Sequence, residues 1–150
     1  MVEYKKVSLD DNVASQLIEL SKLWAQEDIT FGYVPNERSD LNEPCIVALE
    51  GDKIIGYIFG HYYDNEKKIA DIAIGDKCFE VDELYVLKEY RSQGIGKRLF
   101  ELMNEEVKDN VSFITLPTGT KDYKKILKFY VEIMDMTFHS AFLFKKTNKK

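Results

Sequence analysis

The sequence predicts a mixed α/β fold in which helices cover one central sheet. Segments of strand-like composition alternate with segments of helical periodicity, and one strand leads through a glycine loop directly into a helix. The chain has 150 residues, 45% of them hydrophobic and only 8 Gly and 3 Pro, so it can bury a core and is not expected to be disordered. We therefore expect a single domain over residues 1–150, with strands and helices packed in layers.

The first half of the chain predicts a strand, two helices and a hairpin. Asp10 and its polar neighbours can cap a helix, and apolar residues then recur at helical spacing from Val13 to Trp24. Gly51 and Asp52 separate two runs rich in β-branched residues and mark a hairpin turn. The predicted elements are a strand at 2–9, a helix at 13–26, a short helix at 36–41, and strands at 45–49 and 53–62.

The second half of the chain predicts three further strands and two helices. Residues 69–74 are compatible with one more strand or with an excursion that Gly75 and Asp76 end. Pro117 stops a strand, and apolar residues mark one face of the helix that follows it. The predicted elements are a central strand at 78–86, a helix at 99–107, a strand at 111–116, a helix at 122–134, a final strand at 137–145 and a polar tail.

The loop between the central strand and its helix has the composition of an anion site. Gly94 and Gly96 lack a Cβ, so a phosphate can approach the backbone closely. The first N–H groups of a helix have no internal partner, and the helix dipole favours an anion there. Arg91, Lys97 and Arg98 add positive charge. The loop therefore predicts a pyrophosphate site.

Two other glycine loops do not match this spacing. A dinucleotide fingerprint needs a third glycine where Leu99 stands, and a P-loop needs Ser or Thr where Arg98 stands. The pattern that fits is R-x-x-G-x-G, which follows residues 84–86 and precedes an amphipathic helix. This pattern resembles the acetyl-CoA-binding motif of the GNAT N-acetyltransferase superfamily. The predicted order of elements is similar to the GNAT layout over nearly the whole chain.

The resemblance implies a GNAT-like acyl-CoA N-acyltransferase fold, with a mixed, mostly antiparallel central sheet flanked by helices. It also implies an enzyme that moves the acetyl group of acetyl-CoA to a primary amine by direct transfer in a ternary complex. Acetyl-CoA is the co-substrate, with its pantetheine arm on the central strand and its pyrophosphate in the loop. The implied cofactor-binding residues are Leu84, Tyr85, Val86, Arg91, Ser92, Gln93, Gly94, Ile95, Gly96 and Lys97.

Carboxylates just before the loop are candidates for the proton acceptor. A carboxylate among apolar neighbours has the raised pKa that suits a general base. Period-two alternation places Glu80 and Asp82 on one face of the strand and Glu83 with Tyr85 on the other. The resemblance implies an acidic base or substrate anchor here, and we assign it to Glu83, with Asp82 as second candidate. A solvated or salt-bridged carboxylate is the alternative.

Tyr130, late in the last predicted helix, is the candidate proton donor to the leaving thiolate. The resemblance implies a tyrosine here, and a phenol can hydrogen-bond to sulfur. Tyr123, assigned to the cofactor site, stands where the family often has an asparagine. The family's Gly-aromatic pair is replaced by residues 134–136, about one residue late. A shift of the helix by one residue would put Val131 in the place of Tyr130.

A segment of acidic and aromatic residues is the candidate acceptor site. In the family this region helps to wall that site, and carboxylates and aromatic rings suit a cationic amine. A solvated loop is the alternative. The candidate acceptor residues are Glu27, Asp28, Phe31 and Tyr33.

Composition limits the partners and the compartment. The net charge of −5 argues against a nucleic-acid partner, and no apolar run is long enough for a membrane span. Cys45 and Cys78 have no metal or redox spacing, and His61 and His139 lie far apart, so we expect buried thiols, no metal and a reducing cytoplasm. The expected partner is a small-molecule or peptide amine, and the resemblance allows a homodimer.

Two other functions stay open on the sequence alone. One is an acyltransferase that uses a longer acyl-CoA. The other is a non-catalytic acyl-CoA-binding or regulatory module on the same fold, since a fold does not fix a function. Polyamines, aminoglycosides, amino acids, protein N-termini and lysine side chains are all compatible acceptors.

Overall fold

The computed structural model describes residues 1–148 and contains a five-stranded mixed sheet. The strands lie in the sheet in chain order, the first four antiparallel and the fifth parallel to the fourth. The predicted mixed, mostly antiparallel sheet flanked by helices is confirmed. The strands are β1 (Val2–Val7), β2 (Cys45–Glu50), β3 (Lys53–Asp64), β4 (Lys77–Val86) and β5 (Phe113–Thr115).

Helices flank the sheet, and the first of them, α1 (Asp11–Glu27), is capped at both ends. The Asp10 carboxylate accepts a hydrogen bond from the Val13 N–H at 2.9 Å, which satisfies one of the free amides of the first turn. Asp28 ends the helix in a left-handed conformation, with φ of 53°. The remaining helical segments are α2 (Ile95–Val107), α3 (Tyr123–Leu127), a π-helix at Lys128–Ile133, and single 3₁₀ turns at Arg38–Asp40 and Lys88–Tyr90.

Each face of the sheet carries its own apolar core. On one face, Leu17 of α1 belongs to a buried cluster with Tyr57 and Phe59 of β3. On the other face, Leu99 of α2 belongs to a cluster that includes Ile58. Alternation along β3 therefore supplies both cores. Full burial of each such side chain stabilises the fold by about 1.5–3 kcal/mol.

The predicted helix at 36–41 is shorter than expected, and of the two alternatives for residues 69–74 the structure contains the excursion. Residues 36–41 form only the turn at Arg38–Asp40, because Leu41 is already extended, with ψ of 140°. Residues 69–74 form no strand and contain only a bridge between Ile69 and Ile72. The buried Asn65 amide donates hydrogen bonds to backbone carbonyls of this excursion, which takes the place of pairing with a neighbouring strand.

The predicted final strand at 137–145 is wrong. These residues form no strand and expose large apolar side chains, among them Phe142 at 91% and Phe144 at 75%. The alternation that favoured a strand needs a partner in register to form one. The neighbouring β5 has only three residues, so it offers a short ladder for pairing.

Both cysteines are buried free thiols, as predicted. Burial raises the pKa of the Cys45 thiol to about 12. Among residues 1–148, no helix combines the length and the apolar character that a membrane span requires.

Candidate functional site

The candidate site lies where β4 and β5 separate. The two strands pair only through three residues of β4, Cys78 to Glu80. From Val81 to Val86, this edge of β4 has no strand neighbour within the described part of the chain. Backbone groups on this open edge can bind an extended ligand as an additional strand would.

A β-bulge places Asp82 and Glu83 on the same face of β4. Two consecutive β3 residues pair with the β4 residues on either side of Asp82, so Asp82 itself has no partner in β3 and is an extra residue in β4. Asp82 bonds to His61 and Glu83 bonds to Tyr57, and these two β3 residues alternate with Phe59 on the α1 side. The prediction that the two carboxylates face opposite sides is wrong, because period-two alternation does not reveal a bulge.

Glu83 is a partly buried carboxylate held by three neutral donors. Its Oε1 accepts hydrogen bonds from Tyr57 Oη at 2.7 Å, Asn36 Nδ2 at 2.9 Å and Tyr33 Oη at 3.1 Å. Burial raises the pKa of Glu83 and outweighs these hydrogen bonds, which favour the carboxylate. Among residues 1–148 it forms no ion pair. A carboxylate in this environment is suited to receive a cationic ligand.

Asp82 has both oxygens engaged by neighbouring side chains. Its Oδ1 lies 2.8 Å from His61 Nδ1, and its Oδ2 accepts from Asn42 Nδ2 at 2.7 Å. Glu80 lies beside this pair. One potential metal-binding atom from each of Glu80, His61 and Asp82 lies within 4.8 Å of the other two. These three could hold a metal ion only if His61 Nδ1 released its hydrogen bond or turned away.

An aromatic stack borders Glu83. The Trp24 ring stacks on Tyr33 with centroids 4.1 Å apart and on Tyr85 at 5.2 Å. The Trp24 Nε1–H donates to Thr30 at 3.0 Å, which fixes the indole between the two rings. Aromatic faces beside a carboxylate suit an alkylammonium group.

Arg91 and Glu27 form a bidentate ion pair. Arg91 Nη1 and Nη2 lie 2.6 and 2.7 Å from the two Glu27 oxygens, and Arg91 Nε donates to the Val86 carbonyl at 2.8 Å. Burial disfavours the Glu27 carboxylate, but hydrogen bonds from Arg91 and Tyr85 outweigh burial and lower its pKa. Glu27 is the last residue of α1 and does not lie in a loop. Because of the ion pair, the Arg91 charge is neutralised within the protein.

The loop after β4 presents backbone amides in an open setting. Gly94 caps α2 with φ of 82°, a conformation that favours glycine, and a Cβ there would meet nothing within 4 Å. The first main-chain hydrogen bond of α2 runs from Arg98 N–H to Gly94 C=O at 3.0 Å. The N–H groups of Ile95, Gly96 and Lys97 precede it, as in an anion site at a helix N-terminus. This loop fits a pyrophosphate.

The four predicted acceptor residues do not form one site. Tyr33 reaches Glu83, whereas Glu27 pairs with Arg91. Asp28 pairs with Lys121 at 2.9 Å. Phe31 is 57% exposed and lies under the same lysine ammonium, 5.3 Å from ring centroid to nitrogen.

The last helix contains the extra residue that its sequence indicates. After Leu127 the chain forms a π-helix, in which Met134 N–H donates to Phe129 C=O five residues back. Asp135 then adopts φ of 58°, the left-handed conformation that glycine would adopt most easily.

Tyr130 lies in the π-helix with its ring among apolar neighbours. Its centroid is 6.1 Å from that of Phe100 in α2 and 5.0 Å from that of Phe129. Burial raises the pKa of Tyr130 to about 12. Phe129 approaches the loop after β4, since its Cζ lies 3.8 Å from the position that a Cβ on Gly96 would take. Tyr123 lies at the start of α3 and is 57% exposed.

Sequence reasoning missed several side chains that complete the site. Tyr57 and His61 lie on alternate positions of β3, so alternation could have placed them on one face. Their meeting with β4 depends on the strand register and the bulge, which leave no local signal. The missed residues are Trp24, Asn36, Asn42, Tyr57 and His61.

Residues 11–135 match the family model described as the acetyltransferase (GNAT) family. No curated protein matches the chain.

Solved structures share the fold along nearly the whole chain. A ribosomal-protein-alanine N-acetyltransferase from Brucella melitensis biovar Abortus 2308 is 17% identical, with a TM-score of 0.67 over 97% of this chain and 99% of that one. An aminoglycoside acetyltransferase from an uncultured soil metagenomic sample is 20% identical, with a TM-score of 0.69 over 99% and 97%. A predicted acetyltransferase with acetyl-CoA from Clostridium acetobutylicum is 20% identical, with a TM-score of 0.67 over 99% and 96%.

Proposed function

The chain belongs to the acetyltransferase (GNAT) family, and we propose that it is an N-acetyltransferase that uses acetyl-CoA. In this proposal the acetyl group passes to a primary amine by direct transfer in a ternary complex. Acetyl-CoA supplies the acetyl group as a reactive thioester. The observation that carries the proposal is the Glu83 carboxylate, which lies beside the open edge of β4 without a cationic partner among residues 1–148.

Glu83 is proposed to anchor the acceptor ammonium. Three neutral donors fix the orientation of its carboxylate, and Oε2 accepts only a longer bond, from Tyr33 Oη at 3.3 Å. A cation that binds there would find a preorganised negative charge with little competition from solvent. Tyr33, the half-buried outer ring of the stack, would contact the alkyl part of a small-molecule or peptide amine, and Trp24 and Tyr85 support it from behind.

Acetyl-CoA is proposed to bind along β4 and at the start of α2. The backbone of Leu84 to Val86 lies on the open strand edge, and the amides of residues 92–97 lie in the loop that fits a pyrophosphate. Lys97 contributes the positive charge there, since the Arg91 charge is neutralised by Glu27. Arg91 supports the loop from within by tying it to α1.

Tyr130 is proposed to protonate the departing thiolate. The phenol carries its proton at neutral pH and can hydrogen-bond to the sulfur as negative charge develops there. The π-helix supports this assignment, because it absorbs the extra residue after α3 without a break in the helix.

The experiment that tests the function is an acceptor screen. Purified protein is incubated with acetyl-CoA and a panel of polyamines, aminoglycosides, amino acids and lysine or N-terminal peptides, and free thiol is measured. Release that depends on one class of amine, with the acetylated product found by mass spectrometry, is the expected result. Acetyl-CoA binding without release for any amine would favour the non-catalytic module, and release only with longer acyl-CoA would change the donor.

A matched pair of glycine variants tests the cofactor loop. Gly94 and Gly75 share a positive φ, 82° and 89°, and a Cβ at either would meet nothing within 4 Å. Acetyl-CoA at about 100 times its Kd should stabilise the wild-type protein by about 2.7 kcal/mol. Gly94→Val should abolish this stabilisation, whereas Gly75→Val carries similar backbone strain and should keep it. An equal ligand effect in both variants would remove the loop as the site.

A further inference from the structure

His61 lies near Glu83, the proposed anchor of the acceptor, and has no role in the proposed function as stated above. His61 Nδ1 lies 2.8 Å from Asp82 Oδ1, and Asn42 Nδ2 holds the second Asp82 oxygen at 2.7 Å. The Asp82 side chain is 19% exposed and the His61 side chain 42% exposed. The aspartate is therefore fixed on both oxygens while the imidazole still reaches solvent.

These contacts define which imidazole nitrogen carries the proton. An ionised carboxylate can only accept a hydrogen bond, so Nδ1 of a neutral His61 must donate to Asp82. The remaining nitrogen, Nε2, then has a free lone pair. The other titratable groups at the imidazole are Glu80, which belongs to the same cluster, and Tyr63, whose ring centroid is 5.9 Å away.

The position of His61 relates it to the reaction site. In the sheet, His61 lies opposite Glu80, the last residue of β4 that pairs with β5. The imidazole is thus on the α1 face at the point where the two strands separate. Its partner Asp82 is the bulged residue, and Glu83 is the next residue along the chain.

We propose that His61 is the general base of the acetyl transfer and that Asp82 is the positioning residue that fixes its tautomer. This inference rests on the proposed function. On the α1 face of β4, Glu83 anchors the acceptor ammonium, and His61 Nε2 removes a proton from it. Three hydrogen bonds to Oε1 hold the Glu83 carboxylate in a fixed orientation, which suits it to anchor the ammonium.

The proton transfer balances as follows for a primary ammonium. One N–H bond of the ammonium breaks and an Nε2–H bond forms on His61. The freed lone pair makes the C–N bond to the acetyl carbon as the C–S bond breaks, and the leaving thiolate takes the Tyr130 proton. The second proton lost from the nitrogen restores Tyr130, and His61 releases one proton to solvent.

The first test reads the tautomer and does not depend on turnover. The chain contains two histidines, His61 and His139, and the exposed His139 serves as an internal control. Nitrogen-15 NMR under alkaline conditions should find Nδ1 of His61 protonated and Nε2 bare, and Asp82→Asn should shift this balance without changing the His139 signals. Protonation of Nε2 in the wild-type protein, or an unchanged tautomer in Asp82→Asn, would overturn the proposal.

The second test uses a variant that keeps the structural bond. In His61→Asn the amide nitrogen can still donate to Asp82, but no group replaces Nε2. Its kcat/KM at neutral pH should fall by about 100-fold or more, and the deficit should shrink at high pH, where the amine arrives neutral. His139→Asn should match the wild-type protein, and the Tm of both variants confirms that they fold.

The outcomes separate the inference from the function on which it rests. If the wild-type protein acetylates an amine and His61→Asn keeps both its kcat/KM and its pH profile, the base assignment is overturned and the function stands. If the wild-type protein acetylates no amine, both fall. A loss confined to KM in His61→Asn would also overturn it, because a binding contact would then explain the effect.

Discussion

Glu27 and Glu83 are two carboxylates near β4, and only Glu27 is paired with a cation. Each accepts a tyrosine hydrogen bond, from Tyr85 Oη at 2.5 Å and from Tyr57 Oη at 2.7 Å respectively. Arg91 binds both oxygens of Glu27, and no ion pair forms at Glu83 among residues 1–148. The pKa of Glu27 is accordingly lowered, whereas that of Glu83 is raised by burial.

The comparison distinguishes a carboxylate paired within the protein from one whose charge is left for the proposed acceptor. The Glu27 pair joins the end of α1 to the loop after β4, so the Glu27 charge is neutralised inside the protein. At Glu83 the donors are neutral and orient the carboxylate without cancelling its charge. Sequence composition alone does not distinguish the two glutamates. Their hydrogen-bond and ion-pair partners in the fold do.

The largest expected effect comes from removal of the cation beside Glu27. Arg91→Met leaves a charge that is only 16% exposed without its partner, and we expect a loss of about 3 kcal/mol in the free energy of unfolding, measured by urea denaturation. The exposed Arg98→Met is the matched control and should change stability by less than about 0.5 kcal/mol. Adding Glu27→Gln to Arg91→Met should recover part of the loss; no recovery would contradict the stranded-charge explanation.

Removal of the charge from Glu83 should affect catalysis instead. Glu83→Gln keeps the shape and one acceptor oxygen but loses the attraction for an ammonium, so KM for the amine should rise about 30-fold, equivalent to about 2 kcal/mol. The value of kcat should change much less, and acetyl-CoA affinity should stay near that of the wild-type protein. If kcat falls and KM is unchanged, Glu83 takes part in the proton transfer and does not anchor the acceptor.

Local signals predicted the shape of the loop after β4, but not the side-chain contacts around Asp82, Glu83 and Arg91. Gly94 adopts φ of 82° and opens α2 as its position after a strand suggested, because a strand, a glycine turn and a helix start are all local features. The Asp82 bulge and the His61 contact on the α1 face of β4, and the Arg91–Glu27 pair beside the loop, depend on residues 21 to 64 positions apart. No periodicity reports such pairings.

The C-terminal part shows a different limit of sequence reasoning. The spacing after Tyr130 indicated one residue too many, and the structure accommodates it with the π-helix at Lys128–Ile133, after which Asp135 adopts a positive φ. A local count could detect the insertion but not the way in which the helix absorbs it. The strand predicted at 137–145 has the right alternation, yet β5, with three residues, gives it little to pair with.

The smallest effect, opposite in sign at the two glutamates, is the pH dependence of stability. Because the folded-state pKa of Glu27 is lowered, its contribution is present above the unfolded value, near 4.5, and is lost as pH falls through the folded pKa. Glu83 has a raised folded-state pKa, so its charge destabilises the fold above that pKa, and protonation restores stability as pH falls towards 4.5.

Urea denaturation of Glu27→Gln and Glu83→Gln across this range should give differences from the wild-type protein that change in opposite directions. Glu27→Gln should approach the wild-type stability below pH 4.5, whereas Glu83→Gln should lose ground to it as pH falls to that value. Parallel curves would mean that the two carboxylates share one environment, and the contrast between a structural and a ligand-facing glutamate would then fail.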